Sequence, residues 1–190
     1  ILELEWTKIW DNLNNGYVDY KVQSSIWQMI HRNFISGYIL KKMYRNDGKC
    51  KLCKTIESKR THIFMDCIIT KQILDQFADV LRAFVDIDTT HKEMAFGIFE
   101  YTNNKTNLRN YLTFTIRHIV YRNRNNEFSA NANIPQILKN KITKYIKNDL
   151  ELKFNIAKEK NETALFEERF LENNVLGKIE NGELLTNMWS

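Results

Sequence analysis

All three cysteines of the chain fall between positions 50 and 67, and a histidine stands among them. Cys50, Cys53, His62 and Cys67 are spaced as C-x2-C-x8-H-x4-C. A tight turn over Lys51 and Leu52 lets the first two sulfurs converge. Residues 54–61 are long enough to bring the chain back, and His62 and Cys67 close the set. Three thiolates and one imidazole are the number and type of donors that a structural zinc ion takes. Four protein ligands leave no coordination position for water, so the reading is a structural metal and not a catalytic one. A helix that begins at Cys67 would favour its thiolate through the free amides of the first turn. The same residues admit two other readings: buried small hydrophobes beside a solvated histidine, or a C-x2-C redox pair. A redox pair is expected beside a βαβ pattern, and none is visible. An odd, clustered set of cysteines does not suit a secreted disulfide framework and points to a reducing compartment.

Around this cluster the pattern is helical. The chain has one proline and six glycines, and 43% of its residues are hydrophobic, enough for a core. Leu2, Trp6, Ile9, Trp10 and Leu13 mark a first amphipathic helix, ended by Asn14-Asn15-Gly16. Val22, Ile26, Met29 and Ile30 form the face of a second, over 20–31, with Trp27 at its edge. Ser36 is the expected N-cap of a third, which carries Ile39, Leu40 and Met43. Asn46-Asp47-Gly48 is a turn leading into Cys50. The spacing of Ile69, Ile73, Phe77, Val80, Leu81 and Phe84 predicts one helix over 69–84. Thr90-x-x-Glu93 has the form of a capping box. Leu108, Tyr111, Leu112, Thr115, Ile116 and Ile119 mark the next helix. Pro135 opens a long one with Ile134, Leu138, Ile142, Tyr145, Leu152 and Ile156 as its stripe. A short helix is expected over 163–172, and Asn181-Gly182 is a hairpin signal. The expected fold is mostly α, a helical domain with a small CCHC-type module and a short C-terminal β-hairpin. Its regions are 1–87 (helices and module), 88–160 (basic and helical) and 161–190 (helix and hairpin), or these run together as one domain.

Net charge is +5, and it is unevenly spread: residues 105–160 hold 12 Lys and Arg against 4 Asp and Glu. Such a basic stretch suggests an anionic partner, RNA or DNA. Against this, Asn, Lys and Ile supply 62 residues, a bias that AT-rich coding gives to any protein. No apolar run is long enough to cross a bilayer, so no membrane is expected. The start of the chain lacks a basic n-region and an apolar h-region, which argues against a signal peptide, and it lacks an initiator Met. The chain is therefore expected to be cut from a longer polypeptide. No nucleophile triad, phosphate-binding glycine loop or carboxylate pair stands out; Asp86 and Asp88 read as a solvated turn.

Trp27 and His31 stand as W-x-x-x-H upstream of the cysteines, followed by Leu40, Met43, Cys50, Cys53, Glu57, His62-Ile63-Phe64 and Cys67. This run resembles the zinc-binding domain downstream of the polymerase in LINE-like (non-LTR) retrotransposon proteins. There the usual form is C-x-x-C-x-x-x-E-x-x-x-H-hydrophobic-hydrophobic-x-x-C. Here one more residue separates Glu57 from His62, and Lys54 stands where a glycine often follows the second cysteine. Residues 119–124, apolar, aromatic and then Arg, resemble an element such tails carry, and 175–184 more loosely so. The resemblance implies a parent RNA-directed DNA polymerase, intracellular, in nucleus and cytoplasm. It implies a segment that holds template RNA or target DNA, with the upstream polymerase domain as partner. The segment has no adjacent aspartates to hold catalytic metal ions, so it is expected not to be an enzyme itself.

Two groups of cations are the candidate phosphate contacts. Lys49, Lys51, Lys54, Lys59 and Arg60 surround the cysteines, where they also compensate a thiolate cluster of net negative charge. Arg117, Arg122 and Arg124 lie toward the end of one helix, where the macrodipole favours cations in any case. Lys139, Lys141, Lys144 and Lys147 read as a solvated face. Trp6, Trp10, Trp27 and Phe64 read as core, and His31, His91 and His118 as ordinary histidines. The competing reading is a purely structural or protein-interaction module that docks on the polymerase.

Overall fold

The computed structural model describes residues 3–31, 36–45, 47–56, 62–88, 90, 93, 96–100 and 102–187. The elements are α1 (Glu3–Asn14), α2 (Tyr20–Ile30), α3 (Gly37–Tyr44), α4 (His62–Met65), α5 (Ile68–Gln76), α6 (Ala78–Phe84), α7 (Asn104–Asn123), α8 (Ile134–Glu159) and α9 (Thr163–Phe170). A 3-10 turn at Glu172–Asn174 leads to strands β1 (Gly177–Glu180) and β2 (Glu183–Thr186). The fold is mostly helical, with one two-stranded antiparallel sheet at its C-terminal end.

Local chemistry sets four of the helix starts. The Asp19 carboxylate accepts the amides of Lys21 and Val22, and Ser36 Oγ accepts that of Ile39. Asn103 and Thr106 form a reciprocal capping box at α7. Asn133 accepts the amide of Gln136 at α8, and Pro135 sits in the first turn, where its missing N–H costs nothing. The hairpin turns at Asn181 and Gly182, both at positive φ (51° and 77°), and pairs Ile179 with Leu184.

The core is organised around α7. This helix packs against α2, α4, α6, α8 and α9, and α5 packs along α8. Of its residues, Leu108, Tyr111, Leu112, Phe114, Ile116, Ile119 and Val120 are buried, but so are Arg109, Asn110, Thr113, Thr115, Arg117, His118 and Asn123. Some of the polar groups that this brings inside are answered, whereas Thr113 Oγ1, Thr115 Oγ1, Nε and Nη1 of Arg117 and Nε2 of His118 have no hydrogen-bond partner among the described residues. Asn110 binds both the amide and the carbonyl of Ile98, at 2.7 and 2.8 Å. Asn123 donates to Ile119 O at 2.8 Å and accepts from Lys141 Nζ at 2.5 Å.

Three expectations are corrected. The helix over 69–84 is two helices that break at Phe77, whose φ of −106° and ψ of 3° leave the α region. No glycine or proline causes the break. Phe77 itself is fully buried, and α5 lies on α8 while α6 lies on α7, two partners that a straight helix does not reach together. On α8, Leu152 and Ile156 face solvent; the buried line is Ile134, Leu138, Ile142, Ile146, Leu150, Phe154 and Ala157. Trp27 is 45% exposed and leans on His31 (ring centroids 4.4 Å apart), whose other neighbour is Trp10 at 5.9 Å.

His118 gives the fold a pH dependence. It is 2% exposed, its Nδ1 meets Ser25 Oγ at 2.7 Å, and its Nε2 has no hydrogen-bond partner among the described residues. Burial holds its pKa down to about 4, Arg122 and Lys21 adding in the same sense and Asp19 opposing. As pH falls below the ordinary histidine value, the unfolded chain takes up this proton before the folded one does. Stability is therefore complete above pH ~6.5 and declines toward pH 4, by about 3 kcal/mol for a shift of this size. His118→Gln is expected to flatten the dependence of urea unfolding between pH 7.5 and 4.5 by about 2–3 kcal/mol. A variant as acid-sensitive as the parent would exclude this histidine as the cause.

Candidate metal centre

The cluster is built on a knuckle followed by a single helical turn. The Cys50 amide donates to Thr55 O (2.8 Å) and the Lys54 amide to Cys50 O (2.7 Å), while Lys49 pairs with Ile56 across an antiparallel bridge. The turn closes because Lys54 adopts φ 62°, the left-handed conformation that glycine takes most easily. After the described chain resumes, α4 carries His62 and Ile63-Phe64, and the amides of Asp66 and Cys67 donate to His62 O (2.9 and 2.8 Å). Thr70 Oγ1 ties back to Ile63 O at 2.5 Å, fixing α4 on α5. Cys67 is the N-cap of α5.

These elements bring Cys50, Cys53, His62 and Cys67 together, with one ligand atom from each lying within 4.8 Å of the others. Sulfurs placed tetrahedrally around zinc at bonding distance stand about 3.8 Å apart, so the set closes on an ion with little movement. Cys53 Sγ lies 3.2 Å from His62 Nε2 and 2.9 Å from Thr55 Oγ1. Cys50, His62 and Cys67 are buried and Cys53 is half-buried. Within the cluster, a hydrogen bond from Cys50 is the largest influence on Cys67 and holds it down to about 4, against the opposing effect of burial. His62 and the amides of Thr70 and Ile69 add to the lowering. The shared proton pushes Cys50 up. His62 rises to about 9, chiefly through its hydrogen bond to Cys67, with burial opposing and Cys53 assisting. Negative charge thus concentrates on sulfur at the N-terminus of a helix. A cluster of three thiols and an imidazole suits a borderline-soft ion such as zinc, and four such donors leave it no open position.

The surrounding cations divide. Lys49, Lys51 and Lys54 are exposed, and Lys51 reaches Glu127 at 3.9 Å. Arg122 is exposed; Arg124 is half-buried, with its guanidinium 3.8 Å from the Tyr121 ring centroid. Arg117 is buried at 2% exposure, 5.2 Å from the Phe64 ring centroid and 3.3 Å from Met29 Sδ. As a phosphate contact Arg117 is therefore corrected, since a guanidinium enclosed between α2 and α4 does not reach solvent. Lys59 and Arg60, with Glu57, lie outside the described residues. Of the rings read as core, Phe64 is buried. Asp88 pairs with Arg82 (2.7 Å) on an exposed turn. Among the described residues, no helix is long and apolar enough to cross a membrane.

Two partners escaped the sequence reading. Thr55 beside Cys53 carries no signal beyond its place in the turn. The buried Arg109–Glu93 pair (2.6 Å) gives none, because sixteen residues separate its members and neither belongs to a motif with the other.

Comparison with protein families matches residues 3–73 to the family described as zinc-binding in reverse transcriptase. The match runs from α1 into α5 and contains all four members of the cluster. Comparison with the curated proteins and with the solved structures found no match.

Proposed function

We propose that this chain is a zinc-stabilised accessory region of a LINE-like retrotransposon reverse transcriptase, which holds template RNA or target DNA for the polymerase domain upstream of it. The observation that carries the reading is the convergence of Cys50, Cys53, His62 and Cys67 within 4.8 Å, inside the segment matched to zinc-binding in reverse transcriptase. Zinc held by these four residues supplies no chemistry to a substrate; it braces the knuckle, α4 and the start of α5. Cys50 and Cys67 then belong at once to the metal site and to the hydrophobic core that includes α7. The basic side chains left outside, Lys49, Lys51, Lys54, Arg122 and Arg124, are the phosphate contacts of this reading.

Binding of zinc-loaded chain to RNA and DNA, followed across salt concentrations, tests it. Charge reversal at Lys51, Lys54 and Arg122 is expected to weaken binding with the helical content unchanged. Each lost phosphate contact flattens the slope of log affinity against log salt by about 0.7 on single strands and about 0.9 on duplex DNA. Binding that is absent, or indifferent to salt, defeats the proposal. A second reading has its own support: Lys51 is engaged by Glu127, and Arg124 lies on Tyr121, so both have intramolecular roles. On that reading the module braces helices that dock on the polymerase, and the same charge reversals leave nucleic-acid binding where it was.

A further inference from the structure

The end of α3 exposes Lys41, Lys42, Tyr44 and Arg45, which carry no motif in the sequence. Lys41, Lys42, Met43, Tyr44 and Arg45 are consecutive and all exposed, Met43 and Tyr44 each at 67%. Arg45 stops the helix at φ 54°, and the chain turns back so that Gly48 (φ 68°) lies under the Lys41 side chain. A Cβ added at Gly48 would meet Lys41 Cδ at 2.8 Å and its Cβ at 2.9 Å. The Lys41 stem therefore packs on the loop, which makes α3 and the knuckle one continuous surface. Lys49 follows directly, bridged to the exposed Ile56, and Lys54 stands at the far side of the same turn.

Residues 37–56 carry six cations, Lys41, Lys42, Arg45, Lys49, Lys51 and Lys54, against the single carboxylate of Asp47. That carboxylate is turned onto its own loop, where it accepts the Lys49 amide at 3.1 Å. Among the described residues no carboxylate pairs with Lys41, Lys42, Arg45, Lys49 or Lys54. The macrodipole of α3 accounts for Lys41 and Lys42 in its last turn, but not for cations beyond the helix or for an aromatic ring standing in water among them. Lys42 Nζ lies 5.4 Å from the Tyr38 ring centroid, and a surface that joins cations without carboxylate partners to an accessible ring matches a strand whose phosphates are regularly spaced and whose bases are free to stack. Duplex bases already stack on one another, so the ring favours an unpaired strand.

We propose that α3 and the metal knuckle together form a binding surface for single-stranded nucleic acid, on which Tyr44 stacks a base while Lys41, Lys42, Arg45 and Lys49 face phosphates. This rests on the nucleic-acid reading above and adds to it a site, a strand state and a stacking residue. The test uses the full zinc-loaded chain with short oligouridylate, oligodeoxythymidylate and a blunt duplex. Tyr44→Ala is expected to lower single-strand affinity at least about fivefold, and Tyr44→Phe to retain it. Duplex affinity is expected to be unchanged in both. The double change Lys41→Gln, Arg45→Gln keeps the stem over Gly48 and is expected to flatten the single-strand salt slope by about 1.4. If Tyr44→Ala and the double variant bind single strands like the parent, while reversals at Lys51, Lys54 and Arg122 still weaken binding, this surface is wrong and the wider reading stands. If the parent chain binds no oligonucleotide at any salt, both fall together.

Discussion

Cys67→Ser is expected to abolish stoichiometric metal binding and to melt residues 47–70 locally, while leaving the helices α7, α8 and α9 folded. Cys67 is at once a member of the four-residue cluster, a fully buried core residue and the N-cap of α5, so its loss removes the charge that the first turn of α5 stabilises. Beyond the buried side chains of Leu52, Ile63 and Phe64, the elements it holds have little secondary structure of their own. The helix α4 is one turn of four residues, and the knuckle is closed by two backbone hydrogen bonds and a single bridge. A turn that short does not stand alone in water. Structural zinc contributes on the order of 10 kcal/mol to the folding of small modules, more than this segment can replace by packing. Hydrogen exchange should show it: amides between 47 and 70 lose protection in Cys67→Ser, or in the parent treated with chelator, and amides of α8 keep theirs. Thiol counting during zinc titration should give one ion per chain, bound by three sulfurs. Equal protection with and without chelator would show that the four side chains meet without sharing an ion, and a full equivalent of zinc bound by Cys67→Ser would show that Cys67 is not needed to hold it.

This site was legible in the sequence because its information is local. The four residues of the cluster lie within eighteen positions, so spacing alone constrains which side chains can meet. Caps and turns are legible for the same reason: Ser36, Pro135 and Asn181-Gly182 act within three or four residues of themselves. What spacing could not show is decided between elements far apart in the chain. The helix α7 has too many polar residues to be read as central, yet Arg109, Asn110 and Asn123 are inside because partners elsewhere receive them. On α8 the buried residues mostly recur every four positions. That step overshoots a turn of 3.6 residues, so the stripe winds around the helix, and a reading that continued through Leu152 and Ile156 left it. Arg117 was placed with Arg122 and Arg124 by sequence proximity alone. Five positions on a helix separate Arg117 and Arg122 by about 140°, enough to put one against Phe64 and Met29 and the other in water.

Arg109→Met is expected to cost about 3–5 kcal/mol of unfolding free energy, the range for breaking a buried ion pair. The Arg109 guanidinium is enclosed, and five hydrogen bonds join it to Glu93 and to three backbone carbonyls among the described residues. Two go to Glu93, at 2.6 and 3.1 Å, and the others to the carbonyls of Leu81 (2.8 Å), Val85 (2.6 Å) and Ile87 (2.9 Å). Those carbonyls belong to the last turn of α6 and the segment after it, so one side chain of α7 closes the end of another helix. A buried pair can often be exchanged for apolar residues without loss, because two desolvated charges then disappear together. Here that exchange is expected to fail. Glu93→Met alone leaves a charge uncompensated but its carbonyl contacts intact; Arg109→Met leaves the Glu93 carboxylate unpaired and takes the guanidinium from three carbonyls, of which Leu81 O and Val85 O keep the backbone amides of Val85 (3.4 Å) and Ile87 (2.8 Å). The double variant removes both charges but still takes one donor from each of the three carbonyls, so it is expected to lie between Arg109→Met and the parent. A double-mutant cycle by urea unfolding of zinc-saturated chain measures all three. Recovery of parental stability in the double variant would mean that Arg109 serves only to neutralise Glu93, and a loss under about 1 kcal/mol in Arg109→Met would mean that the pair is not enclosed in solution.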